Sequence, residues 1–573
     1  MATTQSAVDV GSLPQAPQTS SQKQHGKRPF QGHHRKAAKY RKKQKPVQEG
    51  SHEELLLADV QALLASQRIT DEAEDGAAGE SALLPEEGSE IEVDVVELSS
   101  TGDGLAKQKG SDHLYVVPFS VPGDTVKVKV YRHNPNDGYT ATDFLSVVKP
   151  SPLRDDGRIQ CPYFAKCSGC QFQMLDYAEQ LRIKKNIVVK AYRNFSQLPP
   201  ELVPEILDTI GSPLQYGYRT KLTPHFDGPR GNPRRGPKKG HEQMPPFGFT
   251  PKNTRKVLDI EDCLRGDGAV RKGLAEERAR LAVEYGKYTK GATILLRENT
   301  KRVPKSPPSD SLQPPEGIPP TAVRVDSDTH TDFKTCITDQ NATSTEYIDS
   351  FVFTNPAGAF FQNNNSILPP FTAYIREHIL PPPSSSPSSA PATATPKPIR
   401  YLIDAYSGSG LFTITQSSLF PGGSIGIDIA EKSIAFARRN AALNGLDEAQ
   451  CRFLAADAPE LFKSVSAYDP DETVVVLDPP RKGCDASFLR QLLEYGPRRV
   501  VYVSCNVHTQ ARDVGVLVRG QVEEGFEEGK EEGDETKRKG RNVRYAIESI
   551  RGFDFFPQTG HVEGVAILNR VDE

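Results

Sequence analysis

The sequence predicts a multidomain α/β protein with a small β-barrel near the N-terminus, a central α+β region and a C-terminal doubly wound domain. Three observations carry that expectation. From Glu90, "IEVDVVELS", "LYVVPFSVPGDTVKVKVYR" and "ATDFLSVVKP" alternate apolar and polar residues around "TGDG" and "VPGD" turns. After 399, short apolar strands ("IRYLIDAY", "SIGIDI", "CRFLAA", "TVVVLDPP", "RRVVYVSC") alternate with helical patterns such as "AEKSIAFARRNAALNG". The chain has 573 residues, too many for one hydrophobic core.

The elements follow in order. Residues 1–87 read as a polar, disordered basic tail, interrupted only by a short helical pattern at "HEELLLADVQALLASQ". Lys23 to Lys45 hold ten Lys or Arg and no acid, which suits nuclear import or loose nucleic-acid contact as well as plain solvation. Residues 88–150 form the barrel, a size that often holds oligonucleotides. Residues 151–350 are the central α+β region, with a basic loop at 228–240 and a proline-rich loop at 303–320. Residues 351–573 form the doubly wound domain, interrupted by a Pro/Ser spacer at 381–398 and a charged insertion at 522–541.

Composition narrows the classes. No run approaches the roughly 20 apolar residues of a membrane span, and the N-terminus lacks the apolar core of a secretory signal. An intracellular location is therefore expected, in nucleus, cytoplasm or mitochondrion, with no membrane partner and a monomeric chain. Eight cysteines are too sparse for a disulfide framework, yet Cys161, Cys167 and Cys170 fall within ten residues, and Cys263 supplies a fourth thiol. Such spacing fits zinc or an iron–sulfur cluster, and it also fits reduced thiols with no metal.

In a doubly wound sheet, ligands sit at the carboxyl ends of the strands. "LIDAYSGSGLFTI" is a strand, a glycine turn and a helix, with neither the dinucleotide nor the Walker spacing. An acid before so open a turn suits a ligand with a charged amine, such as S-adenosylmethionine. The next strand ends in Asp428, placed to accept from both ribose hydroxyls. Asp457 follows on the third strand as a candidate for the adenine side. The fourth strand ends in "VLDPPRKG", where the prolines hold the backbone extended and leave Asp478 at the pocket.

The fifth strand runs into "VVYVSCNVHTQARDV" and offers Cys505 as nucleophile, with Cys484 in "RKGCD" as its rival. "FDFFPQTGHVEGVAIL" places Glu563 just before the last apolar strand. A thiol and a carboxylate beside a methyl donor fit methylation of uracil at C5. The thiolate adds at C6 to activate C5, and a base then removes the C5 proton. Only the thiolate attacks, so Cys505 is expected to have a lowered pKa, assisted by the helix that follows.

"DAYSGSG", "LDPPRKG", "VSCN..TQARD" and "FPQTGHVE" resemble the RNA uracil-5-methyltransferases, over roughly residues 90 to 573. That resemblance implies a Rossmann-like methyltransferase domain, a TRAM (OB-like) barrel and transfer from S-adenosylmethionine to RNA. It also implies Cys505 as nucleophile and Glu563 as proton acceptor. Tyr406, Asp428 and Asp478 would bind the cofactor, together with Gln362 of "FTNPAGAFFQNNN". Cys161, Cys167, Cys170 and Cys263 would hold a four-iron, four-sulfur cluster. Similarity to fungal members implies tRNA as partner and uridine 54 of its T-loop as target. Ribosomal RNA, a cytosine-5 reaction and a non-catalytic tRNA-binding protein are the alternatives. One departure concerns the turn: the family places proline after "SCN", and this chain has Val507.

Overall fold

The computed structural model describes residues 47–73, 83–229, 240–305, 316–382, 397–456, 461–462, 464–522 and 543–571. The Lys23–Lys45 run, most of the basic loop, the cores of the Pro/Ser spacer and of the charged insertion, and Asp457 lie outside them.

Alternation builds the barrel. Strands β1 (Glu90–Leu98), β2 (Gly104–Lys107), β3 (Leu114–Val117), β4 (Thr125–Asn134) and β5 (Tyr139–Lys149) close in the order β1-β2-β3-β5-β4. In β4, "TVKVKV" turns Val126, Val128 and Val130 inward and its lysines outward, as a period of two requires. The interior is filled by Val93, Val95, Ala106, Tyr115 and Val117 together with Val126 and Val128.

Ahead of the barrel, the described residues include the short helix that the sequence pattern suggests. Helix α1 spans His52–Ala73, six residues beyond the pattern read from the sequence. It buries Leu56 and Val60 against Leu105, Leu114, Val116 and Tyr139 on the outside of the barrel.

The central region contributes helix α2 (Tyr177–Phe195), two small four-stranded sheets and a hairpin, Thr343–Ile348 with Phe351–Pro356. Asp176 caps α2 by accepting from the Ala178 N–H. The apolar face of α2 (Ile183, Ile187, Val188, Ala191) packs in the same core as Val507, Ala511 and Val514 of the C-terminal domain.

The C-terminal domain is an eight-stranded sheet. Its spatial order is Cys451–Ala455, Gly423–Asp428, Tyr401–Ala405, Thr473–Leu477, Arg499–Ser504, Glu563–Val571, Arg544–Phe553, Leu207–Ile210. The first five strands are parallel, and Glu563–Val571 runs antiparallel to both of its neighbours. The doubly wound expectation is met, with the order reversing between Tyr401–Ala405 and Thr473–Leu477. The last strand comes from the central region, so the sheet crosses the boundary drawn at 350. The two faces are covered separately, one by the core containing α2 and the other by a core around Phe371, Phe412 and Phe553.

Candidate active site

Strand register alone assembles the acids. Ala405 pairs with Ile427 on one side and Leu477 on the other, and Leu477 pairs with Tyr502. Tyr406, Asp428, Asp478 and Cys505 therefore leave one edge of the sheet, at the point where strand order reverses. On the other flank Ser504 pairs with Gly564 in antiparallel register. That sets Cys505, one step past Ser504, level with Glu563, one step before Gly564.

The edge is rich in carboxylates with few partners. Asp404 is fully buried and accepts from the Thr413 N–H and hydroxyl at 2.9 and 2.6 Å, while its Oδ1 has no partner. Burial first, and Asp428 as a weaker cause, push its pKa up to about 7. Asp428 accepts from the Gly408 N–H at 3.0 Å and the Ala430 N–H at 2.7 Å, which ties it to the glycine turn. Burial and then repulsion from Asp404 raise Asp478 to about 7. Glu563 is 1% exposed with neither carboxylate oxygen hydrogen-bonded. Burial and Asp478 push it well above an ordinary glutamate, and Arg481 opposes them. Buried acids without partners fit a cationic ligand, because a positive charge would satisfy what the protein leaves unpaired.

The turn at the edge is strained where the ligand would approach. Tyr406 holds φ at +65°, uncommon for a residue with a Cβ, and Gly410 at +92° leads into the helix Leu411–Gln416. The Tyr406 side chain turns away from the acids. Its ring lies 5.2 Å from that of Phe488, on the side of the Cys484 thiol. Gln362 is buried one residue after Phe361, in the core that also contains Leu411 and Phe412.

Cys505 differs from the expectation of a lowered pKa. Burial, then Glu563 and Asp478, push the thiol up to about 12, and only Arg481 pulls it down, by its charge and a hydrogen bond. The following helix does begin where expected, at Val507, with Asn506 as its cap. Two nearby carboxylates and burial outweigh that helix end. Arg481, the residue after Asp-Pro-Pro, is the functional candidate that the sequence reading passed over. Its guanidinium also approaches His561 Nδ1 at 3.3 Å, and its carbonyl accepts from Asn506 Nδ2 at 2.9 Å. Cys484, the rival thiol, has different surroundings. It is buried among Tyr406, Tyr502 and Asp513, away from the cavity that Cys505 lines.

Besides the 522–541 insertion, which lies almost wholly outside the described residues, the departure from the family pattern is Val507, at the catalytic turn. It occupies the first position of the helix, where proline is also at home because that N–H needs no helical partner. Its side chain is 2% exposed and packs where a Cβ on Gly564 would meet it at 2.7 Å. Gln510 then locks helix to sheet, donating to Tyr502 O at 2.7 Å and Gly564 O at 3.1 Å.

A buried ion pair sets the loop that delivers Glu563. Lys184 of α2 donates to Asp554 at 2.6 Å, Phe556 O at 3.0 Å and His561 O at 2.6 Å, using all three ammonium hydrogens. Tyr177 donates to the other Asp554 oxygen at 2.9 Å. Lys184→Met leaves Asp554 buried and without its cation. It should cost about 3–5 kcal/mol in chemical denaturation, with loss of activity because the 554–561 loop loses its anchor.

Cys161, Cys167, Cys170 and Cys263 line one cavity of about 30 Å³ with Arg265 beside them. The four thiols that the sequence groups together thus share one cavity. Among the described residues, however, no group of three or more His, Cys, Asp or Glu stands in metal-binding geometry. Burial raises Cys161 and Cys167 to about 11, the state of protonated thiols. The four side chains as they stand do not fit a ready-made cluster cage, and the expected cluster is corrected to a shared thiol cavity.

Comparison with known proteins agrees with this geometry. The model of the tRNA (Uracil-5-)-methyltransferase family matches residues 392–522, and the TRAM domain model matches 85–139. A tRNA (uracil(54)-C(5))-methyltransferase of Schizosaccharomyces pombe is 41% identical over 94% of this chain and 86% of its own length. The Saccharomyces cerevisiae protein of the same name is 39% identical over 84% of this chain and 73% of its own. The fold is shared with the Pyrococcus abyssi tRNA (uracil-54, C5)-methyltransferase, solved in complex with S-adenosyl-L-homocysteine. That likeness has a TM-score of 0.53 at 23% identity, covering 83% of this chain and all of the other. With a barrel and a methyltransferase sheet each matched by its own model, and with relatives this similar along nearly the whole chain, the protein belongs to the tRNA (uracil-5-)-methyltransferase family.

Proposed function

We propose that the protein methylates C5 of uridine 54 in the T-loop of tRNA, using Cys505 as covalent catalyst and Glu563 as base. The observation that carries this reading is the Ser504–Gly564 pairing, which sets a thiol and an unpartnered carboxyl level at the acid-rich edge. Asp428, Asp478 and the backbone of the Tyr406–Gly410 turn would hold S-adenosylmethionine, which when bound would supply an electrophilic methyl group on a sulfonium. Gln362 completes that site from the preceding loop.

Cys505 Sγ, its proton given up to solvent, bonds as a thiolate to C6 of the flipped base and makes C5 nucleophilic. Once C5 carries the methyl, Glu563 accepts the C5 proton. The electrons of that C–H bond restore the C5–C6 double bond, and Sγ leaves. In the free protein the raised pKa keeps Glu563 protonated near neutrality, so it gives that proton up to solvent before the step, and the carboxylate so formed beside Asp478 is a strong base for the C5 proton.

The thiol's position near 12 has a measurable consequence. Well below that value the thiolate fraction grows about tenfold per pH unit, so alkylation of Cys505 in the free protein should climb with pH without a plateau up to about pH 10. Mass spectrometry of the Cys505 peptide after iodoacetamide pulses checks this. Arg481→Ala, which removes the one stabilising cation, should slow alkylation further at every pH.

Incubating the protein with labelled S-adenosylmethionine and unmodified tRNA, and mapping the methylated base, tests the assignment. Label at uridine 54 is expected; label confined to ribosomal RNA, or to cytosine, would refute it.

A further inference from the structure

The cavity in front of Cys505 has a volume of about 350 Å³, and its wall is not made by the two matched domains alone. One side is built by Gly50, His52 and Leu55, which precede the barrel and lie outside both matched regions. Facing them are Arg481 and Cys505 from the methyltransferase domain and Lys252 from the central region.

The segment is fitted to this position. The Gly50 carbonyl accepts from Asn506 Nδ2 at 3.2 Å, and Asn506 is the residue next to Cys505. Gly50 has a φ of +66°, and a Cβ there would lie 2.8 Å from Asn506 Nδ2 and 3.0 Å from Arg481 O. Only glycine allows so close an approach between this backbone and the catalytic turn. The turn is closed by Glu54, which accepts from the Gly50 N–H at 2.6 Å, and Glu49 pairs with Arg512 at 2.7 Å. One turn further along, Asp59 is buried and accepts from the Ser100 N–H of the barrel at 2.6 Å and from Asn194 of α2 at 3.2 Å. Three separate regions thus hold the start of α1 in register with the nucleophile.

His52 stands at the opening of this wall with its side chain exposed to the cavity. Its Nε2 is 3.8 Å from Asp103, the carboxylate that also pairs with Lys252. An imidazole, a lysine and an arginine lining one cavity match the sugar–phosphate of an RNA nucleotide better than the face of a base.

We propose that the Gly50–Leu55 segment is part of the RNA-binding site, with the Gly50 carbonyl positioning Asn506 and His52 contacting the backbone of the nucleotide delivered to Cys505. The inference rests on Cys505 being the nucleophile. Its test therefore reads RNA binding and not the covalent step.

His52→Ala should raise KM for tRNA about tenfold, with kcat within twofold and with KM for S-adenosylmethionine and Tm unchanged. His52→Gln, which keeps a donor and an acceptor, should return KM to within about threefold of the native value. A benzoylphenylalanine at position 52 should crosslink to the T-arm of bound tRNA. KM for tRNA within twofold of native in His52→Ala, or crosslinks confined to other parts of the tRNA, would overturn the proposal. A lowered KM would overturn it as well, because it would make the segment a plug and not a wall. Wrong assignment of the nucleophile would show elsewhere, as an RNA adduct on a residue other than Cys505, and would leave these binding values untouched.

Discussion

Cys505→Ala should reduce methyl transfer by a factor on the order of 10⁴ or more, the scale expected when a covalent catalyst is removed, while S-adenosylmethionine still binds. The side chain is half-buried at the cavity and sits among groups that disfavour its charged form. It carries no structural hydrogen-bond network of its own. The neighbouring fold is held by Asn506, Gln510 and Asp513, none of which needs the thiol. Thermal unfolding of the variant should therefore match the native protein within a few degrees. Cys484→Ala should behave in the opposite way, because its thiol lies in a buried network with Tyr502 and Asp513. There, stability should fall while residual protein keeps its activity.

Glu563→Gln should lower kcat by about 10²–10⁴-fold, the range for a general base, and should let the Cys505–RNA adduct accumulate. The amide has the same shape but cannot take the C5 proton, so methyl transfer proceeds and release stalls. The same substitution reports on stability. The carboxyl is raised well above its ordinary value of 4.5 by burial and by Asp478. The folded state therefore holds a proton that the unfolded state gives up, and stability falls as pH rises from that ordinary value toward the raised one. Glutamine removes this penalty. The variant should be about as stable as the native protein at pH 4 and more stable at pH 8, read from urea midpoints at each pH.

Residues with short-range meaning were legible in the sequence. Valine alternation placed the barrel strands, and acids at or just past the strand ends marked the sheet and its carboxyl edge, because Asp428 closes its own strand and Asp478 follows its own directly. Contacts between distant segments were not legible. Cys505 and Glu563 meet only because the last strand inserts antiparallel beside Arg499–Ser504, a register set by packing and not by either local pattern. The Lys184–Asp554 pair joins residues 370 positions apart, and nothing in "LRIKKNIVV" marks one lysine for burial. Strand Leu207–Ile210 is four residues long with one buried side chain, too short a signal to assign to the far edge of the sheet. Tyr406, expected to bind the cofactor, has a left-handed backbone, and its ring packs against Phe488, an orientation no local pattern announces. The pKa of Cys505 went the other way from the sequence reading because that reading counted the helix end and not the carboxylates opposite.

The central claim is that Cys505 is the atom source of a covalent RNA–protein bond. Fluorine at C5 of the base blocks the proton removal assigned to Glu563, so tRNA carrying 5-fluorouridine should freeze the adduct after methyl transfer. Digesting that complex and sequencing the modified peptide by mass spectrometry identifies the residue directly. The expected result is a single nucleotide-modified peptide containing "VSCNVHTQAR", with the added mass on Cys505. An adduct on Cys484 or on any of the four clustered thiols, or no adduct in protein that methylates ordinary tRNA, would contradict it.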